Sequence, residues 1–487
     1  MFNSIVEAVF YYAKLNPGKL CIADDYEALT YQSYANRILN LAVYFQGKKL
    51  KQGDTVVIEA QQRIHYLAVE LALQLMGGIF VPVEQKCSEK IMVELAQTTK
   101  AKMIIAENNI GSADIIALTY IDIGNIALMS SIQNHFTFPN RYAVSEILFS
   151  TGTTGKKKGI VLTHENDLAL AENVVDGVDM KRDNIEMIPS PLNHSHGLRR
   201  YYANIYNGST VILLSSIVNI KLFFDNLEKY HVNSMDLVPS ALSILLQLSK
   251  NKLENYKEQI RYIQLGSAPI SHNDKEKIGE LLPNTKIYNF YGSTESGCIC
   301  INNFNVNKSK ENCIGTPTKN AEIIIVDQFR NEIKSSKNSP GYLTSRGKMN
   351  MSGYWLDEDE TKKVMGNGFI YSNDIAYYDE DGDIILLGRK GDIINVGGEK
   401  VVPDEIEDAV KIIPEVEDCA VVPVADRMLG SVPKLFVQVK KGMNLDIDYL
   451  QAHLKTCLES YKIPVYIEKI DKVPRTYNGK IQRRKLL

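Results

Sequence analysis

The sequence predicts an α/β protein: a large N-terminal domain of two doubly wound α/β layers plus a small β subdomain, followed by a small α+β C-terminal domain. Three observations carry this. The chain has 487 residues, long for one hydrophobic core and enough for two or more domains. As far as Tyr291, short apolar strands alternate with amphipathic helices, the pattern of a parallel sheet covered on both faces. Beyond Gly315 the texture turns to short strands and Gly/Asp turns, and a break at Gly388-Arg389-Lys390-Gly391-Asp392 sets off a last alternating segment.

The elements follow in order. Ile5 to Ala13 reads as an amphipathic helix ending near Pro17, and Gln32 to Gln46 as a second. Thr55–Glu59 is a strand, and His65–Met76 a helix closed by Gly77-Gly78. Strand Ile79–Val83, helix Glu89–Thr98 and strand Met103–Ile105 complete the first layer. The second layer holds helix Leu168–Val175, strands Ile185–Ile188 and Val211–Leu214, helix Ile220–His231, strand Ser234–Leu237, helix Ala241–Ser249 and strand Ile263–Leu265. Strands Glu322–Val326, Gly341–Thr344, Phe369–Tyr371 and Asp383–Leu387 form the β subdomain. Cys298-x-Cys300 alternates across a strand, and Asp379 to Asp383 lacks calcium-loop spacing and reads as a hairpin turn. In the last segment, helices Pro403–Ile412 and Ile447–Glu459 alternate with strands Cys419–Val424 and Lys434–Val439. The expected units are residues 1–388, a hinge at 389–392, and a mobile domain at 393–487.

Composition excludes several classes. A net charge of −3 makes no electrostatic case for nucleic acid or an anionic membrane. No apolar run approaches a membrane span. The seven cysteines are scattered and form no C-x-x-C, so the expectation is reduced thiols in a cytoplasmic protein without disulfides or zinc.

The stretch most suggestive of chemistry is Ser150-Thr151-Gly152-Thr153-Thr154-Gly155-Lys156-Lys157-Lys158-Gly159, between strand-like Glu146–Phe149 and Ile160–His164. Glycines let backbone N–H groups turn toward an anion, while hydroxyls and lysines add donors and positive charge. A di- or triphosphate suits such a loop. Walker spacing fails, because no Gly-Lys-Ser/Thr follows at the required offset and a strand follows instead of a helix. By itself such a loop is more often a polar surface turn than a site.

Further motifs come in sequence: Pro191-Leu192-Asn193-His194-Ser195-His196-Gly197, Gly266-Ser267-Ala268-Pro269, Asn289-Phe290-Tyr291-Gly292-Ser293-Thr294-Glu295, Tyr371-Ser372-Asn373-Asp374, Gly388-Arg389-Lys390-Gly391-Asp392, Asn395-Val396-Gly397-Gly398-Glu399-Lys400-Val401, and Pro474-Arg475-Thr476-Tyr477-Asn478-Gly479-Lys480-Ile481. With the glycine loop, this ordered set resembles the adenylate-forming (AMP-binding) superfamily of acyl-CoA synthetases and stand-alone acid adenylation enzymes. The likeness covers nearly the whole chain. Departures are Lys157 where proline is usual, Asn373 for glycine, Gly391 for Asp or Lys, and Gly341-Tyr342-Leu343 for G-E-L.

The resemblance implies the following roles. Ser150, Thr151, Gly152, Thr153, Thr154, Gly155 and Lys158 cradle phosphates. Gly266, Ser267, Ala268, Asn289, Tyr291 and Gly292 hold the nucleotide, with Tyr291 as a flat face for adenine. Thr294 donates to the α-phosphate and Glu295 ligates Mg2+. Asp374 and Arg389 bind the ribose. His194 lines the acid site, Lys480 reaches α-phosphate and carboxylate, and Gly397 and Gly398 let a pantetheine arm pass. The implied reaction joins a small carboxylic acid to ATP as acyl-AMP, then passes the acyl group to the thiol of coenzyme A. The phosphopantetheine thiol of an acyl carrier protein stays open as acceptor; a non-adenylating nucleotide-binding protein or phosphate-loop NTPase is the reading from another class. Arg199 and Arg200 stand where amino-acid-adenylating relatives carry Phe-Asp, so an α-amino acid is disfavoured. Either arginine facing the acid site could pair with a second anionic group; the alternative is a structural or surface role.

Overall fold

The computed structural model describes residues 2–111, 115–128, 136–150, 158–267, 272–308, 310–397, 399–476 and 479–487. Most elements lie where apolar periodicity puts them, with ends fixed by local chemistry. Thr30 caps helix Tyr31–Gly47 by accepting the Ser33 amide. Thr163 opens helix His164–Gly177 in a capping box with Asn166, which turns the end of strand Lys158–Thr163 straight into a helix.

Among the described residues the strands form three sheets. A seven-stranded sheet runs in the order Gly353–Tyr354, Lys158–Thr163, Val144–Ser150, Ile79–Val83, Thr55–Glu59, Met103–Ala106 and Ile116–Thr119. A 14-stranded sheet includes Ile185–Ile188, Thr210–Leu213, Ser234–Leu237, Tyr262–Leu265 and Lys286–Ser293. One hydrophobic cluster joins helices Ile5–Leu15, Tyr31–Gly47, Ile64–Leu75 and Ser195–Asn207 with strand residues of both sheets, such as Ile58 and Phe80 on one side and Val211 and Leu213 on the other. The core therefore lies between the layers.

The periodicity did not reveal three features. Strands Leu20–Ala23 and Ala28–Thr30, early in the chain, form the far edge of the longer sheet, where Ile22 pairs with Val211. The β subdomain is not detached. Strand Cys313–Pro317 pairs with both Gly297–Asn303 and Ile384–Arg389, so hydrogen bonding continues from the doubly wound part into it. Helix Ser195–Asn207 is the third: no element was expected there, yet Arg199, Arg200, Tyr201, Tyr202 and Asn204 are all buried in it.

Cys298 and Cys300 do alternate along a strand, and both are buried. Asp379 to Asp383 is the turn between Phe369–Tyr378 and Ile384–Arg389, and Lys310 Nζ lies 2.8 Å from Asp379 and 2.5 Å from Asp383. After Arg389, a five-stranded sheet carries the last segment, with helices Pro403–Lys411 and Ile447–Cys457 around the cluster of Ile406, Val410, Leu450 and Leu454.

Candidate active site

The phosphate side is built on paired strands. Val144–Ser150 and Lys158–Thr163 run antiparallel, with Ser150 opposite Lys158. Thr151, Gly152, Thr153, Thr154 and Gly155 lie outside the described residues. The Lys158 ammonium is ion-paired to Glu360 and stands 5.1 Å from the Tyr354 ring centre. Glu360 also accepts from Lys363 at 3.0 Å. Tyr354 donates its hydroxyl to Glu295 Oε1 at 3.1 Å. Burial, then the Glu295 carboxylate, raise the Tyr354 phenol, so it stays a protonated donor. Neither Tyr354 nor Glu360 was singled out from the sequence. Each meets its partner only through the pairing of Gly353–Tyr354 with Lys158–Thr163, which no local pattern announces.

The nucleoside side gathers at the ends of adjacent strands. Leu265 lies beside Asn289, which places Gly266 and Ser267 next to the Asn289–Glu295 run. Ser267 has a φ of +72°. Ala268 lies outside the described residues. Gly292 is required sterically: a Cβ there would sit 1.8 Å from the Gly297 carbonyl oxygen. Tyr291 donates its hydroxyl to Asp374, and Arg389 Nε donates to Asp374 Oδ1 at 3.1 Å. Asp374 and Arg389 face each other across neighbouring strands. Burial and the Asp374 carboxylate push the Tyr291 phenol well above its usual range. The structure thus ties Tyr291, expected as the adenine face, to Asp374 and Arg389, expected as the ribose pair.

The acid side sits at the start of the buried polar helix. His194 is the residue before Ser195–Asn207, its Nε2 3.3 Å from Asn193 Nδ2. Burial, then the nearby Lys480 and His196, push the His194 imidazole down to about 4, so it is neutral at pH 7. Ser195 Oγ is 3.3 Å from Thr294 Oγ1. His196 Nε2 lies 2.8 Å from Asp236 Oδ1 of a fully buried carboxylate. Contact is close but not aligned for a hydrogen bond. His196 also packs on Gly266, whose added Cβ would be 2.8 Å from its Cε1. Asp236 gave no signal in the sequence, standing in the short strand Ser234–Leu237 with no motif around it. Arg199 and Arg200 are both buried. Arg199 donates to the Ser293 carbonyl at 3.0 Å, and Arg200 stacks 4.7 Å from the Phe290 ring centre beside Glu186. Both therefore pack against the Asn289–Glu295 segment.

Lys480 comes from the last segment, yet it lies in the electrostatic field of His194, Arg389, Asp374 and Glu295. Loss of water around the ammonium, then the Arg389 guanidinium, hold it below the usual lysine range, while Asp374 and Glu295 pull the other way. A Cβ on neighbouring Gly479 would stand 4.0 Å from Ser240 Oγ of the large layer. Gly397, with a φ of +59°, donates its N–H to the Leu429 carbonyl at 2.8 Å within its own sheet. Gly398 lies outside the described residues.

The arrangement collects the Lys158 and Lys480 side chains, one neutral imidazole, hydroxyls and the carboxylates of Glu295 and Asp374. It can bind a nucleotide and stabilise charge building up on a phosphate. A hard cation that keeps phosphate and water ligands needs only one or two carboxylates, and Glu295 supplies one. Among the described residues no cluster of three or more metal-ligating side chains occurs.

Known proteins share this architecture. The AMP-binding enzyme family model matches residues 9–355, and the AMP-binding enzyme C-terminal domain model matches residues 405–480. A 4-coumarate–CoA ligase of Vanilla planifolia is 27% identical over 90% of this chain and 84% of its own length. A 2-succinylbenzoate–CoA ligase of Bacillus cereus is 25% identical over 97% of this chain and 96% of its own. Among solved structures, the o-succinylbenzoate CoA synthetase of Bacillus subtilis with its acyl-adenylate superposes at a TM-score of 0.87, with 21% identity over 98% of this chain and 97% of that one. ATP-bound MatB of Rhodopseudomonas palustris superposes at 0.88, with 21% identity over 100% of this chain and 98% of that one. No described helix is long and apolar enough to cross a membrane. Matched along most of its length by the model for the large domain and again by the one for the small, the chain belongs to the AMP-binding enzyme family.

Proposed function

We propose that the protein is an AMP-forming acid–thiol ligase that activates a small carboxylic acid with ATP and passes the acyl group to coenzyme A. One observation carries the reading: Lys480 of the last segment stands among His194, Asp374 and Glu295 of the large domain and Arg389 at its boundary. In the first half-reaction a carboxylate oxygen attacks the α-phosphorus, the bond to the β-phosphate breaks and pyrophosphate leaves. Lys480 and Thr294 stabilise the charge that builds on the α-phosphate, and Asp374 and Arg389 fix the ribose. Lys158 holds the outer phosphates. Mg2+ bound at Glu295 would neutralise phosphate charge. Neutral His194 orients the acid without competing for its charge. In the second half-reaction the coenzyme A sulfur attacks the acyl carbon, AMP leaves with the oxygen, and the thiol proton passes to solvent.

The units at 1–388, 389–392 and 393–487 are part of the proposal. The small domain would rotate at Gly391, around which an added Cβ meets nothing within 4 Å. Gly397 and Gly398 would then line the thiol path. Coenzyme A is preferred to a carrier protein because the curated relatives are named CoA ligases. Acid-dependent exchange of labelled pyrophosphate into ATP, run across a panel of carboxylic acids, tests the reading. An NTPase or a non-catalytic nucleotide binder shows no such exchange with any acid.

A further inference from the structure

Lys480 hangs on a tight turn, and the turn is clamped from below. Thr476 N–H donates to the Lys480 carbonyl at 2.8 Å, Gly479 N–H to the Thr476 carbonyl at 2.9 Å, and Lys480 N–H to Thr476 Oγ1 at 3.1 Å. Tyr477 and Asn478 lie outside the described residues. Arg475 grips the far side of the turn, donating through Nη1 to the Gly479 carbonyl. Its other two donors fork onto one carboxylate: Nε to Asp418 Oδ2 at 2.6 Å and Nη2 to Asp418 Oδ1 at 2.7 Å. Asp418 is itself fixed. Its Oδ1 also accepts the Cys419 amide at 2.8 Å, and a register shift between Val416 and Asp418 opens the strand Val416–Asp426. Such an irregularity re-aims a side chain from the sheet edge. Bidentate arginine–carboxylate pairs fix orientation as well as distance, which a lysine cannot reproduce.

We propose that Asp418 is a positioning residue for the adenylation step, acting through Arg475 and the Gly479 carbonyl to set where the Lys480 ammonium points. This rests on the ligase reading. It makes the Asp418–Arg475 pair more than a brace of the small domain. A brace serves both half-reactions, because the small domain takes part in both. A device that aims Lys480 serves only the one in which Lys480 acts.

The two roles separate when each half-reaction is measured on the full-length protein. Acid-dependent pyrophosphate exchange reads the first. Conversion of the preformed acyl-adenylate of the same acid to thioester reads the second. Asp418→Asn keeps the size of the side chain and removes the charge, and it lowers exchange roughly tenfold with the second half-reaction within about twofold of wild type. Arg475→Lys keeps the charge, loses the fork and shows the same split. Asp418→Glu keeps a carboxylate for the fork and recovers most of the exchange. Glu468→Gln removes a different small-domain ion pair, with Lys434 at 2.7 Å, and leaves the ratio of the two rates unchanged. Equal losses in both half-reactions for Asp418→Asn and Arg475→Lys, or no loss in either, overturn the proposal. Absence of exchange in the wild-type protein with every acid overturns the ligase reading instead. Circular dichroism of each variant, at wild-type strength, excludes unfolding as the source of the split.

Discussion

The large and small domains contribute to the candidate site in different ways. In the large domain each group is fastened into the layers: Tyr291 to Asp374, Asp374 to Arg389, Glu295 to Tyr354, and Ser195 beside Thr294. The small domain contributes one ammonium on one turn, held by Arg475 and Asp418. The groups proposed to recognise nucleotide and acid are therefore set before either arrives. The group proposed to meet developing charge is borne by the last segment, whose proposed hinge is 389–392. Fixed groups suit binding, whereas a group that must act in one half-reaction and not the other suits a part that can leave.

The contrast breaks most visibly at Lys480. Lys480→Ala lowers adenylation by two to three orders of magnitude, about 3–4 kcal/mol of transition-state stabilisation. The same variant given preformed acyl-adenylate forms thioester at near the wild-type rate. Loss of both rates together would place Lys480 in both steps and end the proposed division of labour.

In the large domain the expected effect falls on stability. Glu186 is fully buried under the polar helix, and its carboxyl is pushed up to about 7, chiefly by burial, with Arg200 opposing. A folded-state value above the unfolded one of about 4.5 means the folded chain holds the extra proton. This contribution is complete below pH 4.5 and is lost as pH rises through 7. Glu186→Gln keeps an acceptor for Asn204 and cannot ionise, so its melting temperature rises relative to wild type between pH 5 and 8. The gain is at most about 3 kcal/mol. A wild-type difference that stays flat across that range removes Glu186 as the source. The ratio of half-reactions does not change.

Lys158 sharpens the comparison further. Lys158→Ala raises KM for ATP roughly tenfold to a hundredfold, the loss of a charge-assisted contact of about 1.5–3 kcal/mol. Glu360→Gln frees the lysine from its carboxylate but keeps the ammonium, so its KM for ATP changes far less. Comparable losses in the two variants would mean that Lys158 matters only through Glu360. The smallest effect is at His196. His196→Ala raises KM for the acid a few-fold, about 1 kcal/mol, and leaves KM for ATP alone. An effect on ATP instead would move His196 to the nucleotide side.

These effects also mark how far the sequence could be read. Strand and helix positions in the large domain were legible because apolar periodicity is local, as in Thr55–Glu59 and Ile185–Ile188. Candidate site residues could be named for a related reason: Gly292, Asp374 and Lys480 each sit in an ordered motif, and the sequence marks such runs locally. Helix Ser195–Asn207 was not, because its polar side chains find buried partners outside the helix, Arg199 on the Ser293 carbonyl and Asn204 on Glu186. Its polarity therefore reads as solvent exposure. Asp236, Glu360 and Asp418 were missed alike. Each acts on a group brought to it by sheet register, Asp418 on an arginine 57 positions away. Single side chains with distant partners leave no periodic trace.

The far edge of the longer sheet bears on how the protein is made. Leu20–Ala23 emerges early during synthesis, but its partner strand is Thr210–Leu213, and the seven-stranded sheet waits for Gly353–Tyr354 to pair with Lys158–Thr163. Contacts so distant in sequence delay closure and leave strand edges open in the meantime. A nascent chain still lacking Gly353–Tyr354 holds two incomplete layers and no finished nucleotide cradle. The large domain thus closes only after Tyr354 has been made, and its earlier strands depend until then on whatever shields open edges in the cell.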